Sequence, residues 1–308
     1  MEALLEGLSR SARLHPNAKR AMEDVEVERD LSYREGGDEA HWLDVYRPKG
    51  ATGRLPVVLH VHGGGFRILS KDTHWMMGVG FARPRGGSEG LLVVNVNYRL
   101  APKHPFPAAL EDVCAAWAWT LDRVAEHGGD PSRIVVAGES AGANLVTALA
   151  LATCFRRSEP FARATFDRGF VPAGVMPFCG LLQVSDIRRF MAQTESVVVR
   201  DRMQAVSRGY LGRASGAEAA LADPLVVLEG ADTPERPLPP FFAACGDADP
   251  ILDDTRRLAA SLRRRGVRVD APEYPGEPHA FHALLWREQA KRCWRDARAW
   301  VDDVLVAD

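Results

Sequence analysis

A single serine separates an apolar run from a run of small residues in VVAGESAGANL, residues 135–145. Ser140 has Gly138 and Gly142 two positions away on either side, which is the G-x-S-x-G pattern of a nucleophile elbow. In such a turn the serine stands between a strand and a helix, and only small neighbours let the two backbones pass closely. The pattern therefore predicts that Ser140 is an activated nucleophile for acyl transfer.

Three consecutive glycines occur upstream, in HGGGF at residues 62–66. Because glycines cost backbone entropy, such a run indicates a loop whose amides must approach a ligand closely. In hydrolases with a nucleophile elbow this loop supplies hydrogen-bond donors to the oxyanion, together with the amide that follows the serine. We therefore assign the predicted oxyanion hole to Gly64, Gly65 and Ala141.

The acid and the base of such a site follow the serine along the chain, the acid first and the histidine second. Candidates of both kinds occur in CGDADPILDD and GEPHAFHAL: Asp247, Asp249, Asp253, Asp254, His279 and His282. Asp253 and Asp254 are typical of the first turn of a helix. Asp249 precedes Pro250 in a loop from which a carboxylate can reach a histidine. Order and position favour Asp249 and His279, with His282 as the alternative base.

The scaffold that must position these residues is an α/β sheet. RLPVVLHV and GLLVVNV are apolar on both faces, which is typical of interior strands of a parallel sheet. Such strands alternate with helical patterns, so we expect helices on both faces. VEVERDLSY and HWLDVYRP predict two earlier strands, and PPFFAACGD and VRVDAPEYPG predict one strand each. Loops at the carboxyl ends of the strands should bring Ser140, Asp249 and His279 to one edge.

Two stretches stand outside this alternation. Residues 183–222 show helical patterning without an interior strand, which predicts a helical insertion packed over the sheet. The first 24 residues predict amphipathic helix. We therefore expect a catalytic domain at 25–182 and 223–308. The segment HALLWREQAKRCWRDARAWVDDVL predicts the closing helix.

Composition narrows the class of protein. Of the 308 residues 46% are apolar and 26% are charged, and the net charge of −2 indicates neither a nucleic-acid partner nor stable membrane association. The five cysteines are scattered, which favours buried free thiols in a reducing compartment. The N-terminus carries acidic residues within its apolar pattern, which argues against a signal peptide. We expect a cytoplasmic protein that needs no metal ion and no organic cofactor.

Taken together, the motifs resemble the hormone-sensitive-lipase family of α/β-hydrolases. The resemblance spans nearly the whole chain and is carried by HGGGF, NYRLAPKHPFPAALEDV, DPSRIVVAGESAGANL, DADPILDD and HAF. It implies an α/β-hydrolase fold, a Ser140–Asp249–His279 triad, and a monomer or homodimer acting on a small-molecule ester. It also implies that residues 1–24 and 183–222 form a cap over the site.

This sequence departs from the family pattern at two positions beside the site. Ala280 replaces the glycine that usually follows the histidine, and Glu139 replaces the aspartate or threonine that is commoner before the serine. Two proline bonds, Ala101–Pro102 and Phe106–Pro107, are candidates for the cis form. We expect Arg99 to pair with a buried carboxylate, either Glu139 or Asp112.

The sequence therefore predicts a carboxylesterase for short to medium acyl esters that works through an acyl-enzyme. An amidase or arylformamidase with the same triad is the alternative, and a non-catalytic ligand-binding protein is a more distant one. Six large side chains could line an acyl pocket or pack in the core: Trp75, Met76, Phe190, Met191, Met203 and Tyr210.

Overall fold

The computed structural model describes residues 16–84, 90–191 and 197–306. Its strands are β1 (Val25–Ser32), β2 (Trp42–Pro48), β3 (Leu55–Val61), β4 (Leu92–Val96), β5 (Gly129–Glu139), β6 (Gly174–Phe178), β7 (Phe241–Phe242), β8 (Cys245–Gly246), β9 (Val269–Asp270) and β10 (Glu273–Tyr274). Its α-helices are α1 (Pro16–Glu23), α2 (Trp75–Ala82), α3 (Ala108–Arg123), α4 (Ala141–Cys154), α5 (Pro160–Asp167), α6 (Arg188–Met191), α7 (Val197–Leu211), α8 (Pro224–Glu229), α9 (Leu252–Arg264) and α10 (Glu288–Val306). Short 3-10 helices cover Glu39–His41, Val124–His127, Gly216–Ala222 and Phe281–Ala283.

Eight of these strands form one sheet in the order β1-β2-β4-β3-β5-β6-β7-β9. The pairs β1–β2 and β2–β4 are antiparallel, and every other pair in this sheet is parallel. The mostly parallel sheet predicted from the apolar runs is therefore confirmed.

The central strands bury both of their faces. On β3, Val57 and Leu59 point into a core shared with α3 and α4, whereas Val58 points into a second core shared with α2 and α10. Alternate residues of a strand face opposite sides of the sheet, so a strand covered by helices on both sides must be apolar throughout. The uninterrupted apolar pattern of these strands follows from that packing.

The strand order determines which loops meet. Strand β5 lies between β3 and β6, so the loop after β3 and the turn after β5 are neighbours. The loops that carry the predicted acid and base follow β8 and β10, which pair with each other in parallel. All these connections leave the carboxyl ends of parallel strands and lie at one edge of the sheet.

Each of the last two predicted strands is divided into two short ones. Strands β7 and β9 belong to the main sheet, whereas β8 and β10 form a separate two-stranded sheet. Backbone hydrogen bonding continues across the break, with Ala243 donating to Asp270 at 2.8 Å and Cys245 donating to Pro272 at 3.2 Å. Pro272 has no N–H to return a bond, which interrupts the regular pairing at this point.

The closing helix also differs from the prediction in where it begins. We expected it from about His282, but α10 begins at Glu288, and a 3-10 turn covers Phe281–Ala283 instead. The five cysteines are free and buried, as expected.

The stretch between β6 and β7 holds α6, α7, α8 and a 3-10 turn, and no strand occurs among its described residues. Residues 192–196 of the predicted insertion and residues 1–15 of the predicted N-terminal cap lie outside the described part of the chain. No helix in the described ranges is both long enough and apolar enough to cross a membrane.

Candidate functional site

Ser140 occupies a strained turn between β5 and α4. Its φ of 55° and ψ of −111° lie outside the regions that a serine ordinarily adopts. A Cβ atom on Gly142 would lie 2.0 Å from the carbonyl oxygen of Val61, and one on Gly138 would lie 2.6 Å from the Gly142 carbonyl. The two glycines of the sequence pattern are therefore required by the close approach of β3, β5 and α4.

His279 links Ser140 to Asp249. Its Nε2 atom lies 3.0 Å from Ser140 Oγ, and its Nδ1 atom lies 2.8 Å from Asp249 Oδ2. The Asp249 side chain is completely buried, and its Oδ1 accepts the amide of Ile251 at 2.9 Å. Because an ionised carboxylate only accepts hydrogen bonds, Nδ1 carries the proton and the Nε2 lone pair faces the serine hydroxyl.

The other acids and the other histidine lie elsewhere. Asp247 accepts the amide of Gly276 at 2.6 Å, and Asp254 accepts the amide of Leu182 and pairs with Arg189. His282 is buried with its ring stacked on Phe178, at a centroid distance of 5.0 Å. The structure thus brings Asp249 and His279 to Ser140 and leaves the alternatives outside.

The glycine loop presents two amides without acceptors. Gly63 donates its amide to Glu139, whereas the amides of Gly64 and Gly65 make no hydrogen bond within the described ranges. Both residues have positive φ, at 112° and 61°. A Cβ atom on Gly64 would lie 2.1 Å from the Ile68 carbonyl oxygen, so this position requires glycine for space as well.

A buried carboxylate joins this loop to the nucleophile elbow. Besides the Gly63 amide, Glu139 contacts the Nε2 atoms of His60 at 2.9 Å and of His74 at 3.0 Å. Asn95 holds the His60 ring from its other side at 2.8 Å. These histidines were not predicted. A buried acid beside the serine requires charged or hydrogen-bonding partners. Glu139 in the sequence was therefore the one sign that such partners exist.

The charges in this cluster support one another. Burial raises the pKa of Glu139, but the charges of His74 and His60 outweigh it and the pKa lies well below its usual value. Burial lowers the pKa of His74, but the Glu139 carboxylate outweighs it and the pKa is raised. Burial dominates at His62, where it lowers the pKa to about 3. A negative carboxylate held by two imidazole rings therefore lies one residue before Ser140.

Two further expectations concern the segment that follows β4. Arg99 pairs with Asp112 at 2.8 Å, so Asp112 is its partner and Glu139 is not. The bonds before Pro102 and Pro107 are both cis, as predicted. The His62 ring lies beside the glycine loop, and its Nδ1 atom is 2.7 Å from the Gly63 carbonyl oxygen.

Helix α7 covers the glycine loop. The Tyr210 ring lies face to face with Phe66, at a centroid distance of 3.6 Å and an interplanar angle of 7°. A Cβ atom on Gly65 would lie 2.8 Å from Val206 Cγ2. Tyr210, Phe190 and Trp75 are core residues, and Met203 packs partly buried against the core. Met76 packs partly buried against the second core, and the side chain of Met191 lies outside the described part of the chain.

One further residue joins the site that sequence reasoning did not identify. Cys179 follows β6 directly, and its sulfur, an Asp249 oxygen and a His279 ring nitrogen all lie within 4.8 Å of one another. No ligand spacing in the sequence indicates a metal site, whereas the fold brings these three possible donors together in one group. Its members are 30 to 100 residues apart in the chain, so spacing could not reveal them.

Comparison with known proteins gives consistent results. Residues 58–283 match a protein family described as having the alpha/beta hydrolase fold. The chain is 32% identical over 240 residues to carboxylesterase NlhH of Mycobacterium tuberculosis, covering 77% of this chain and 70% of that protein.

Solved structures show the same likeness. A hyperthermophilic esterase from the archaeon Pyrobaculum calidifontis is similar with a TM-score of 0.79 and 27% identity, covering 99% of this chain and 93% of that chain. An esterase from the bacterial hormone-sensitive lipase family has a TM-score of 0.73 and 28% identity, covering 99% and 89%.

Proposed function

Because this chain belongs to the hormone-sensitive-lipase family of α/β-hydrolases and is a serine carboxylic-ester hydrolase, we propose that it hydrolyses short- to medium-chain acyl esters through Ser140, His279 and Asp249. The observation that carries the proposal is the pair of contacts at His279, 3.0 Å to the serine hydroxyl and 2.8 Å to the buried carboxylate. This arrangement performs nucleophilic acyl transfer in unrelated folds.

In the first half of the reaction, His279 Nε2 takes the proton of Ser140 as Oγ attacks the ester carbonyl carbon. Asp249 holds the imidazole in the Nδ1–H tautomer and stabilises the positive charge that forms on the ring. The buried position of the carboxylate strengthens this interaction, because no water screens it.

The negative charge on the carbonyl oxygen needs donors. The amides of Gly64, Gly65 and Ala141 supply them in the proposed mechanism, and Gly63 does not, because its amide is committed to Glu139. Ala141 is the first residue of α4, so its amide has no partner within the helix. Each such donor lowers the barrier by roughly 3 kcal/mol.

The first half ends with a proton transfer in the opposite direction. His279 gives its proton to the leaving alcohol, which departs and leaves an acyl group on Ser140. In the second half water enters, His279 takes its proton as the water oxygen attacks the acyl carbon, and the ring then gives that proton to Ser140 Oγ as the acid is released. These steps use only side chains and amides of the chain together with water.

The predicted cap belongs to the same proposal. Helix α7 lies against the glycine loop through Tyr210 and Val206, and this contact supports a cap formed by the described part of the insertion. The contribution of residues 1–24 to the cap remains a prediction.

A chain-length series on one chromogenic alcohol tests the proposal, with a matched anilide beside one of the esters. We expect hydrolysis of short and medium acyl esters that falls off with long chains, and at most slow hydrolysis of the anilide. Comparable rates on the ester and the anilide would favour the amidase alternative. A fluorophosphonate should label the wild-type protein and not the Ser140→Ala variant, and a folded protein that is inert toward every activated ester would refute the proposal.

A further inference from the structure

A thiol lies beside the acid and base in a place that hydrolysis does not explain. Cys179 is fully buried at the carboxyl end of β6, and its amide donates to the Ala244 carbonyl at 2.8 Å. Its φ of 39° is a left-handed conformation that a cysteine seldom adopts. This backbone holds the sulfur within 4.8 Å of both an Asp249 oxygen and a His279 ring nitrogen.

The three donors are of a kind that borderline and soft divalent metals prefer. Thiolate, imidazole and carboxylate are the ligands of zinc in proteins, at bond lengths of about 2.0 to 2.3 Å. Ligand atoms around a tetrahedral zinc ion are consequently roughly 3.3 to 3.6 Å apart. To bind such an ion, the 2.8 Å distance between Asp249 Oδ2 and His279 Nδ1 would lengthen slightly, and the Cys179 sulfur would move closer to both atoms. The His279 side chain is 37% exposed, so the cluster can be reached from solvent on that side.

We propose that Cys179, Asp249 and His279 bind zinc reversibly, and that the bound ion switches the hydrolase off. The inhibition rests on the proposed function of the triad, whereas the binding does not.

The ion takes the place of the proton between His279 and Asp249. It binds Nδ1, Asp249 and the sulfur, and the Cys179 thiol releases its proton to solvent. The neutral imidazole keeps one proton, which moves from Nδ1 to Nε2. Nε2 then donates toward Ser140 instead of accepting from it, and the serine has no base. Two positive charges on the ion balance the thiolate and the carboxylate in this buried place.

Binding is measured directly on the full-length protein, with Co²⁺ and Zn²⁺ as probes. We expect a thiolate-to-cobalt charge-transfer band in the wild type that zinc displaces, and zinc binding by calorimetry. Cys179→Ser keeps the side-chain size and Cys179→Gly suits the positive φ, so at least one of them should fold. Both should lose the band and weaken zinc binding at least about tenfold, whereas Cys293→Ser, at a buried thiol on α10, should not.

Activity is measured in parallel, each variant relative to its own metal-free rate. Zinc should inhibit the wild type, a chelator should restore it, and the Cys179 variants should resist. A missing band in the wild type, or inhibition and binding that are unchanged in both Cys179 variants, would overturn the proposal. Binding without loss of ester hydrolysis would overturn the switch. A band in a protein that hydrolyses no ester would leave the metal site standing and refute the proposed function instead.

Discussion

The backbone amide of Gly63 donates its hydrogen bond to the carboxylate of Glu139, the residue immediately before Ser140. One side chain therefore ties the glycine loop to the nucleophile elbow, and His60 and His74 hold that side chain in place. The distance between the proposed nucleophile and the proposed oxyanion donors depends on this link.

Replacing Glu139 should consequently affect the transition state more than substrate binding. Glu139→Gln keeps the size and removes the charge that the two imidazoles face. We expect kcat to fall about tenfold or more while KM changes little, because donors to the oxyanion act chiefly in the transition state.

Glu139→Asp is the matched control, since it retains the charge on a shorter side chain and should give an intermediate kcat. Thermal unfolding of both variants separates loss of fold from loss of alignment. A rise in KM with kcat preserved would contradict a positioning role for Glu139.

Asp249→Asn should lower kcat by about 10⁴-fold without unfolding the protein. An amide can donate to Nδ1, which leaves the proton on Nε2 and removes the base from Ser140. Steady-state rates on a short acyl ester measure the loss. Asp253→Asn, which changes a neighbouring acid in the first turn of α9, should keep most of the activity. Equal losses in the two variants would refute the assignment of the acid.

Ala280→Gly should stabilise the protein. Ala280 has a φ of 58° and a ψ of 28°, a left-handed conformation that costs a residue with a Cβ roughly 1–2 kcal/mol. Glycine removes that cost but loses more entropy on folding, by about 0.5–1 kcal/mol. The free energy of unfolding in denaturant should therefore rise by about 0.5–1 kcal/mol. Ala283→Gly, in the adjoining 3-10 turn, should lower it, and the same sign for both would contradict the explanation.

Two buried histidines that resist protonation should make the free energy of unfolding depend on pH. Burial lowers the pKa of His282 to about 4 and that of His62 to about 3, from an ordinary value of 6.5. Below pH 6.5 the unfolded chain takes up protons that the folded chain refuses, so stability is lost as pH falls from about 6.5 to about 4. Each histidine contributes about 1.4 kcal/mol per pH unit within that window.

His282→Leu removes one of these two titrating groups and places an apolar side chain against Phe178. Denaturant unfolding at several pH values should give a slope lower by about 1.4 kcal/mol per pH unit than in the wild type. An unchanged slope would mean that His282 is protonated in the folded protein.

The sequence was sufficient for the features that depend on local pattern or short motifs. Uninterrupted apolar runs predicted β3, β4 and β5, and the small residues around Ser140 predicted the turn that the structure shows. The Ser140–His279–Asp249 contacts were predicted as well, because chain order and loop position limit the choices. The partner of Arg99 was left between Asp112 and Glu139, since the sequence does not show which of the two carboxylates the fold brings to the guanidinium.

Long-range contacts outside these motifs were missed. His60 is a polar residue within an apolar strand, and its partner Glu139 is 79 residues away on the neighbouring strand. Only the strand order β4-β3-β5 makes them neighbours. Cys179 and Asp249 are likewise 70 residues apart in the chain and are brought together only by the fold. The break that separates β7 from β8 and β9 from β10 lies where Pro272 faces Cys245. The sequence pattern of one strand does not show which residue of the other strand it will face.

The stacked rings of Tyr210 and Phe66 have a consequence for selectivity. Phe66 directly follows the three glycines, so this contact links helix α7 to the loop that carries the proposed oxyanion donors. A bulky acyl group that pushed α7 aside would pull on the amides that its own reaction requires. We therefore expect large acyl groups to lower turnover even when they bind.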